Sequence, residues 1–275
     1  MARQLLFLFL LLSTCHVSMA QKRTPSPMAP IKGGPFVPLY GASKAPVPVQ
    51  AFLLDKYPVT NSEFLAFVKE HPNWQKSTVK RLFADAQYLR HWAADQRIGP
   101  DAAKIANSPV TNVSWFAAKA YCECQGKRLP TVNEWEYAAL ASETKADATN
   151  DEQFYQRSLE WYSQPNPQYL PPVQSGFRNY YGVYGMIGLV WEWTSDYNST
   201  LLVNDARGSS SQDQQLFCGA GASSATNVKN YVAFMRYAFR SSLKPSYTVG
   251  NLGFRCAQST PSGSARTQPA NQKKK

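Results

Sequence analysis

Strong helix-start signals are confined to the first half of this chain, and this limits the folds that it can adopt. Residues 60–63 (TNSE) and 131–134 (TVNE) are capping boxes, in which a threonine hydroxyl and a glutamate side chain bind amide groups at the start of a helix. Ser114 can cap another helix, because its hydroxyl precedes apolar residues at helical spacing. Three helices are therefore predicted between residues 60 and 140.

The rest of the chain predicts short strands and long connections. Alternating apolar positions at residues 47–54 favour a strand, and short strands are expected at residues 231–240 and 252–257. Residues 141–183 are polar and contain four prolines, which is typical of irregular connections. A few helices, short strands and much loop are therefore expected.

The first twenty residues have the layout of a secretory signal peptide. Arg3 is followed by an apolar run at residues 5–12 and by small residues that end at Ala20. The run is far shorter than the roughly 20 residues that cross a bilayer, and no later stretch reaches that length, so no membrane span is expected. Residues 12–15 (LSTC) approach a lipobox, but its third position is threonine, so simple cleavage is favoured over a lipid anchor on Cys15. The prediction is a periplasmic or secreted protein.

The basic charge of the chain lies mainly at its two ends. The net charge is +11, and residues 1–34 and 257–275 each carry four basic residues and no acidic one. No aromatic residues are interleaved with these lysines, so solvated basic ends are favoured over a nucleic-acid site. The predicted organisation is a signal peptide (1–20), a flexible linker (21–33), a folded domain (34–257) and a basic flexible tail (258–275).

Five cysteines are present, and removal of the signal peptide leaves Cys122, Cys124, Cys218 and Cys256. An exported chain can keep such residues oxidised. Four cysteines allow three pairings, and the residues alone leave the choice open.

Three blocks of sequence together identify a family. KRLPTVNEWEYAA (127–139), VWEWTSD (190–196) and RYAFRSSLKPSYTVGNLGFRCA (236–257) resemble the formylglycine-generating enzyme family, also called the sulfatase-modifying factor family. The resemblance covers roughly residues 34–257. It implies an α+β fold of the complex C-type-lectin-like type with little regular secondary structure. It also implies a disulfide between Cys122 and Cys256, which leaves Cys124 and Cys218 either paired or free.

The resemblance also implies an oxidative chemistry for which this chain lacks the ligands. Members of the family oxidise a cysteine of a sulfatase and hold Cu(I) between two thiolates, the soft ligands that this ion prefers. Counting back from FRS at residues 239–241, which matches the family's AARS, places the two thiolate positions at Asn227 and Val232. No cysteine occurs between residues 219 and 255, so copper is not expected as a cofactor. Cys218 could act as a lone redox thiol, although a structural role is the preferred interpretation.

Two further sites are implied by the resemblance. Glu192 and the carbonyl groups of Gly188 and Val190 match the family's second calcium site, although Gly185 replaces an asparagine ligand. A buried carboxylate satisfied by backbone amides is the alternative interpretation of Glu192. The family's peptide groove, which could hold an extended peptide by backbone hydrogen bonds, corresponds here to Trp191, Asn227, Val232 and Arg240.

Two functions follow from these observations. The favoured one is an exported protein without copper-dependent oxidase activity that binds a protein or peptide as an accessory or maturation factor. The alternative is an oxidoreductase that modifies a protein cysteine through a different thiol, such as Cys218 or Cys124.

Overall fold

The computed structural model describes residues 26–38, 45–198 and 228–260. Among these residues no helix is both long and apolar enough to cross a membrane. The strands are β1 (Met28–Ile31), β2 (Gly34–Phe36), β3 (Val47–Val49), β4 (Phe52–Asp55), β5 (Trp191–Glu192), β6 (Leu252–Gly253) and β7 (Ala257–Ser259). The α-helices are α1 (Asn61–Glu70), α2 (Ala102–Ile105), α3 (Trp115–Cys124), α4 (Val132–Ala139), α5 (Glu152–Ser163) and α6 (Val228–Ser241).

A three-stranded antiparallel sheet joins the two ends of the described chain. Its order is β1-β4-β7, so the first and last strands flank β4. Two smaller sheets pair β2 with β3 and, in parallel, β5 with β6. The apolar residues form one large buried cluster around α1 and α3, a second beneath the β1-β4-β7 sheet, and a third between α5 and α6.

Ordered structure extends beyond the predicted domain boundaries at residues 34 and 257. β1 lies within the segment predicted to be a flexible linker, and its Pro30 is tolerated because β1 is an edge strand. β7 continues to Ser259, and the hydroxyl of Thr260 donates a 2.8 Å hydrogen bond to the carbonyl of Ala51. β1 was missed because its segment was read as a linker rich in proline and polar residues, and β7 because the tail is rich in serine, glutamine and lysine.

The predicted helix starts of α1, α3 and α4 are confirmed. The hydroxyls of Thr60 and Thr131 accept hydrogen bonds from the third amide of their helices, and a glutamate side chain accepts from each threonine amide. Ser114 accepts from the amide of Ala117 at the start of α3. The helices α1 and α3 pack through aromatic rings, with those of Phe64 and Tyr121 5.9 Å apart.

The predicted disulfide is also present. Cys122, buried in α3, is bonded to Cys256, which lies 134 residues later and directly before β7. The bond therefore ties the largest buried cluster to the last strand of the β1-β4-β7 sheet.

Two helices were not predicted from the sequence. α6 occupies the region expected to form a strand at residues 231–240, and its interior side carries Val232, Arg236 and Arg240 at four-residue spacing. Two of these three positions are charged, so the apolar periodicity of a helix is hidden. α5 lies in the segment predicted to be irregular and is capped by Asp151, which accepts from the amide of Phe154 at 3.3 Å.

Candidate functional site

The second thiolate position of the family is occupied by a buried aliphatic side chain. Val232 is fully buried in α6 and belongs to the cluster that contains Phe154, Tyr155 and Ile187. Its side chain offers no ligand atom to a metal ion. The first thiolate position, Asn227, and the candidate redox residue Cys218 lie outside the described residues. The residue at the described position does not fit a Cu(I) centre, because Cu(I) is held by soft sulfur ligands.

The arginine predicted to line the groove points into the interior instead. Arg240 donates to the Glu136 carboxylate at 2.6 Å and lies 4.8 Å from the centre of the Trp135 ring. Arg236 donates to the same carboxylate through Nε and Nη2, at 2.9 and 2.6 Å. Burial alone would raise the pKa of Glu136, but the two guanidinium groups hold that pKa below its ordinary value. Arg240 is therefore a structural residue that joins α6 to α4.

The remaining described groove residue, Trp191, is half-buried and packs against aromatic side chains. Its ring lies 5.2 Å from that of Tyr162, nearly parallel to it, and 5.3 Å from that of Trp161. Phe239 of α6 approaches it at 4.5 Å. Of the predicted groove, Val232 and Arg240 are buried among the side chains of α4, α5 and α6, and Trp191 stays half-buried. The helix α5, which was not predicted from the sequence, places Trp161 and Tyr162 against Trp191.

The carboxylate proposed as a calcium ligand is already engaged. Glu192 accepts from Arg255 through both of its oxygens, at 2.7 and 2.8 Å, and from the indole nitrogen of Trp135 at 2.8 Å. Both charged side chains are completely buried. A cation here would lie beside a guanidinium group, which would repel it. The residues at this position therefore do not fit a calcium site, and the partners of Glu192 are side chains rather than the backbone amides considered from the sequence.

An open cavity of about 520 Å³ lies next to Trp191 and the aromatic rings that pack against it. The carbonyl of Asn251, a lining residue, accepts a hydrogen bond from the amide of Trp191 at 2.9 Å. One wall is formed by residues 166–170, which follow α5, and another by residues 249–251, which precede β6. The buried Asn61, Ser108 and Asn112 and the more exposed His91 also line the cavity.

The lining is rich in side-chain amides. Asn166 and Asn251 meet at the exposed rim, where their side chains are 3.2 Å apart. At the floor, the buried Asn61 donates to the carbonyl of Ile105 at 3.0 Å and accepts from the indole of Trp92 at 2.9 Å. A cavity of this kind offers many hydrogen-bond donors and acceptors. No local sequence pattern predicts this cavity, because its lining residues come from five separate segments.

The one imidazole in the cavity is neutral at neutral pH. Burial lowers the pKa of His91 to about 4, and the positive charges of Lys76 and Arg90 act in the same direction. Nε2 of His91 is 3.1 Å from Oδ1 of Asn61. No group of three or more potential metal-ligating side chains occurs in the part of the chain that the structure describes. The cavity is therefore equipped to bind a polar ligand.

The second candidate thiol, Cys124, is placed away from this cavity. It is an exposed free cysteine at the end of α3, and its sulfur lies 3.6 Å from Nε2 of His71.

Comparison with known proteins agrees with this architecture. Residues 14–260 match the family described as the sulfatase-modifying factor enzyme 1-like domain. The chain is 31% identical over 252 residues to a formylglycine-generating enzyme of Streptomyces coelicolor, covering 77% of this chain and 79% of that protein. It is 30% identical over 248 residues to the inactive C-alpha-formylglycine-generating enzyme 2 of Bos taurus, covering 77% and 78%.

A solved structure supports the α+β fold. The crystal structure of CarF superposes with a TM-score of 0.50 at 16% identity, over 86% of this chain and 99% of that one. The sequence match, the disulfide and the fold lead to one conclusion: the chain belongs to the formylglycine-generating enzyme family, in which some members are inactive.

Proposed function

We propose that this protein is an exported, non-oxidising member of its family that binds an extended peptide segment of another exported protein and acts as an accessory or maturation factor. The observation that carries the proposal is the contrast between two neighbouring regions. The thiolate position at Val232 is aliphatic and fully buried, whereas the amide-lined cavity beside Trp191 is open. A relative of similar identity that is named as inactive supports a role without oxidation.

The cavity has the size and chemistry that peptide binding requires. Its volume of about 520 Å³ lies in the range of roughly 300–1,000 Å³ that is typical of ligand sites. The side-chain amides of Asn166 and Asn251 at the rim each offer a donor and an acceptor, which can pair with the backbone of an extended segment. Export is supported by the signal-peptide layout of residues 1–20 and by the Cys122–Cys256 disulfide, which persists in oxidising compartments.

The first test separates binding from oxidation. The purified chain is incubated with copper, oxygen and a peptide that carries the sulfatase motif, and the peptide is then analysed by mass spectrometry. We expect no conversion of its cysteine to an aldehyde, because Val232 cannot supply the second thiolate. Copper-dependent aldehyde formation would contradict the proposal that this protein does not oxidise cysteine. If that activity also disappeared in Cys218→Ser, the cysteine-modifying alternative would replace it.

The second test locates binding in the cavity. A panel of fluorescent extended peptides, including the sulfatase motif, is titrated with wild type and with Gly250→Leu. A Cβ at Gly250 meets nothing closer than 3.8 Å, so the new side chain can enter the cavity without a clash at its first atom. We expect Gly250→Leu to weaken binding at least about tenfold, which is about 1.4 kcal/mol.

A matched control uses Ala146→Leu, which adds an apolar group at an exposed position outside the lining of this cavity. This variant should bind the peptides like wild type. Equal affinity of Gly250→Leu and wild type, or equal weakening by both variants, would contradict binding in this cavity. Failure of every peptide in the panel to bind wild type would contradict the peptide-binding proposal itself.

A further inference from the structure

An exposed thiol and an imidazole from two different helices face each other on the surface. Cys124 is the last residue of α3, and His71 is the residue that ends α1. Sγ of Cys124 lies 3.6 Å from Nε2 of His71, which is within hydrogen-bonding reach of sulfur. The side-chain amide of Gln125 is 3.9 Å from the same sulfur and points a donor at it.

The orientation of His71 leaves its basic nitrogen directed at the thiol. Nδ1 of His71 lies 3.1 Å from the carbonyl oxygen of Phe67. A carbonyl oxygen can only accept a hydrogen bond, so we assign the hydrogen of the neutral ring to Nδ1 and the free electron pair to Nε2. The ring also stacks on that of Phe67, with centres 4.7 Å apart, which holds its plane. A nucleophile, a base within reach and a group that orients the base form the arrangement that activates a side chain for attack.

Both members of the pair lie at the ends of helices. Cys124 and His71 both lie at the carbonyl ends of their helices, where the helix dipole is negative. The negative end of a helix dipole stabilises the positive charge that forms on the imidazole when it takes the thiol proton. His71 is therefore placed to act as a general base at the moment of reaction.

From this geometry we propose that Cys124 is a site of S-thiolation, at which the Cys124–His71 pair exchanges with low-molecular-weight disulfides. The Cys124 proton passes to Nε2 of His71 as Sγ attacks one sulfur of the incoming disulfide. A new S–S bond forms to Cys124, the disulfide bond of the reagent breaks, and the departing thiolate takes the proton back from His71. One thiol and one disulfide are consumed and one of each is produced, so the disulfide reagent is the only oxidant.

The structural disulfide is separated from this site. Cys122 precedes Cys124 by two residues, which corresponds to about 200° around a helix. Its side chain is fully buried and bonded to Cys256, whereas Cys124 is exposed. Cys124 does not line the peptide cavity, and this proposal does not depend on the function proposed for that cavity.

The test measures the rate of mixed-disulfide formation with oxidised glutathione. The full chain carries Cys15→Ser and Cys218→Ser, so that Cys124 is the only thiol outside the disulfide, and the product is mapped by mass spectrometry. We expect His71→Ala to slow the reaction about tenfold. This is less than the roughly hundredfold at which general bases in closed sites begin, because the pair is exposed. Added imidazole should restore much of the rate.

Two further variants make the test decisive. His71→Asn keeps a side-chain donor near the Phe67 carbonyl but has no base, so it should react as slowly as His71→Ala even if the latter destabilises α1. In a Cys124→Ser background, Ser163→Cys places a thiol at the exposed end of α5 as a matched control. The control should react slowly and be unaffected by His71→Ala. A Cys124 rate equal to that of the control, an unchanged rate in both His71 variants, or equal acceleration of the control by imidazole would each overturn the proposal.

Discussion

The substitution Glu136→Gln should be among the most destabilising single changes in this protein. The Glu136 carboxylate is the shared partner of Arg236 and Arg240, and the side chains of all three are no more than 5% exposed. Glutamine preserves the shape of the side chain but removes its charge. Two guanidinium groups would then remain buried next to a neutral amide, and the charge pairing between α4 and α6 would be lost.

The expected magnitude follows from burial. Removal of one partner from a buried ion pair destabilises proteins by about 3–5 kcal/mol, because it leaves an uncompensated charge. The chain contains a matched control in Glu143, which binds Arg157 through both carboxylate oxygens. This pair is exposed: 41% of the Glu143 side chain and 44% of the Arg157 side chain are accessible to solvent. Exposed pairs contribute about 0–1 kcal/mol. Glu143→Gln should therefore lower the free energy of unfolding by about 1 kcal/mol or less.

Urea denaturation followed by tryptophan fluorescence gives both free energies of unfolding. The pH dependence provides a second signature, because the folded-state pKa of Glu136 lies below its ordinary value of 4.5. Such a group contributes stability above about pH 4.5, and this contribution is lost as the pH falls through the lower folded-state pKa. The difference between wild type and Glu136→Gln should therefore shrink in acid.

A third variant separates the loss of charge balance from the loss of contacts. Arg240→Met leaves the neutral pair of Arg236 and Glu136 in place, so it should destabilise less than Glu136→Gln. Equal effects of Glu136→Gln and Glu143→Gln, within about 0.5 kcal/mol, would refute the argument from burial. A larger loss in Arg240→Met than in Glu136→Gln would also refute it.

Two other predictions concern the disulfide and the cavity. Replacing Cys122 and Cys256 by alanine opens a loop that spans 134 residues, so the free energy of unfolding should fall by about 5 kcal/mol in the chain-entropy model. Guanidinium denaturation measures this free energy, and a loss below about 2 kcal/mol would contradict the prediction. The pKa of His91 in the folded protein, about 4, lies below its ordinary value of 6.5. As the pH falls, the unfolded chain therefore binds a proton at this residue before the folded protein does, so the free energy of unfolding decreases between pH 6.5 and pH 4. His91→Gln should flatten this part of the stability profile measured by thermal unfolding, and an unchanged slope would show that His91 does not titrate as described.

The sequence predicted those parts of the fold whose causes are local. The capping boxes at Thr60 and Thr131 each require residues within one helical turn, so the starts of α1 and α4 could be predicted to the residue. The Cys122–Cys256 bond could be predicted as well, but only from the family resemblance. α6 could not be predicted, because its buried positions carry arginines whose partner, Glu136, lies about 100 residues earlier in the chain.

The candidate site could likewise be predicted only in part from the sequence. Alignment of the FRS segment at residues 239–241 placed Val232 at a thiolate position, and its aliphatic side chain already argued against copper. The packing of aromatic rings on Trp191 depends on Tyr162 of α5, a helix that was missed because residues 141–183 were read as polar and proline-rich connections. The cavity is assembled from loops far apart in the chain, and no short-range pattern reports which loops will meet.

The arrangement of the β1-β4-β7 sheet has a consequence for how the ends of this domain can be connected. β1 and β7 both run antiparallel to β4, so they are parallel to each other and about 10 Å apart. A linker of roughly ten residues could join Thr260 to Ser26. New ends could then be opened in the exposed loop around Lys145 without breaking a strand pair or the disulfide. The domain is thus suited to circular permutation, with a linker that runs back along the short β4 because the start of β1 and the end of β7 lie at its opposite ends.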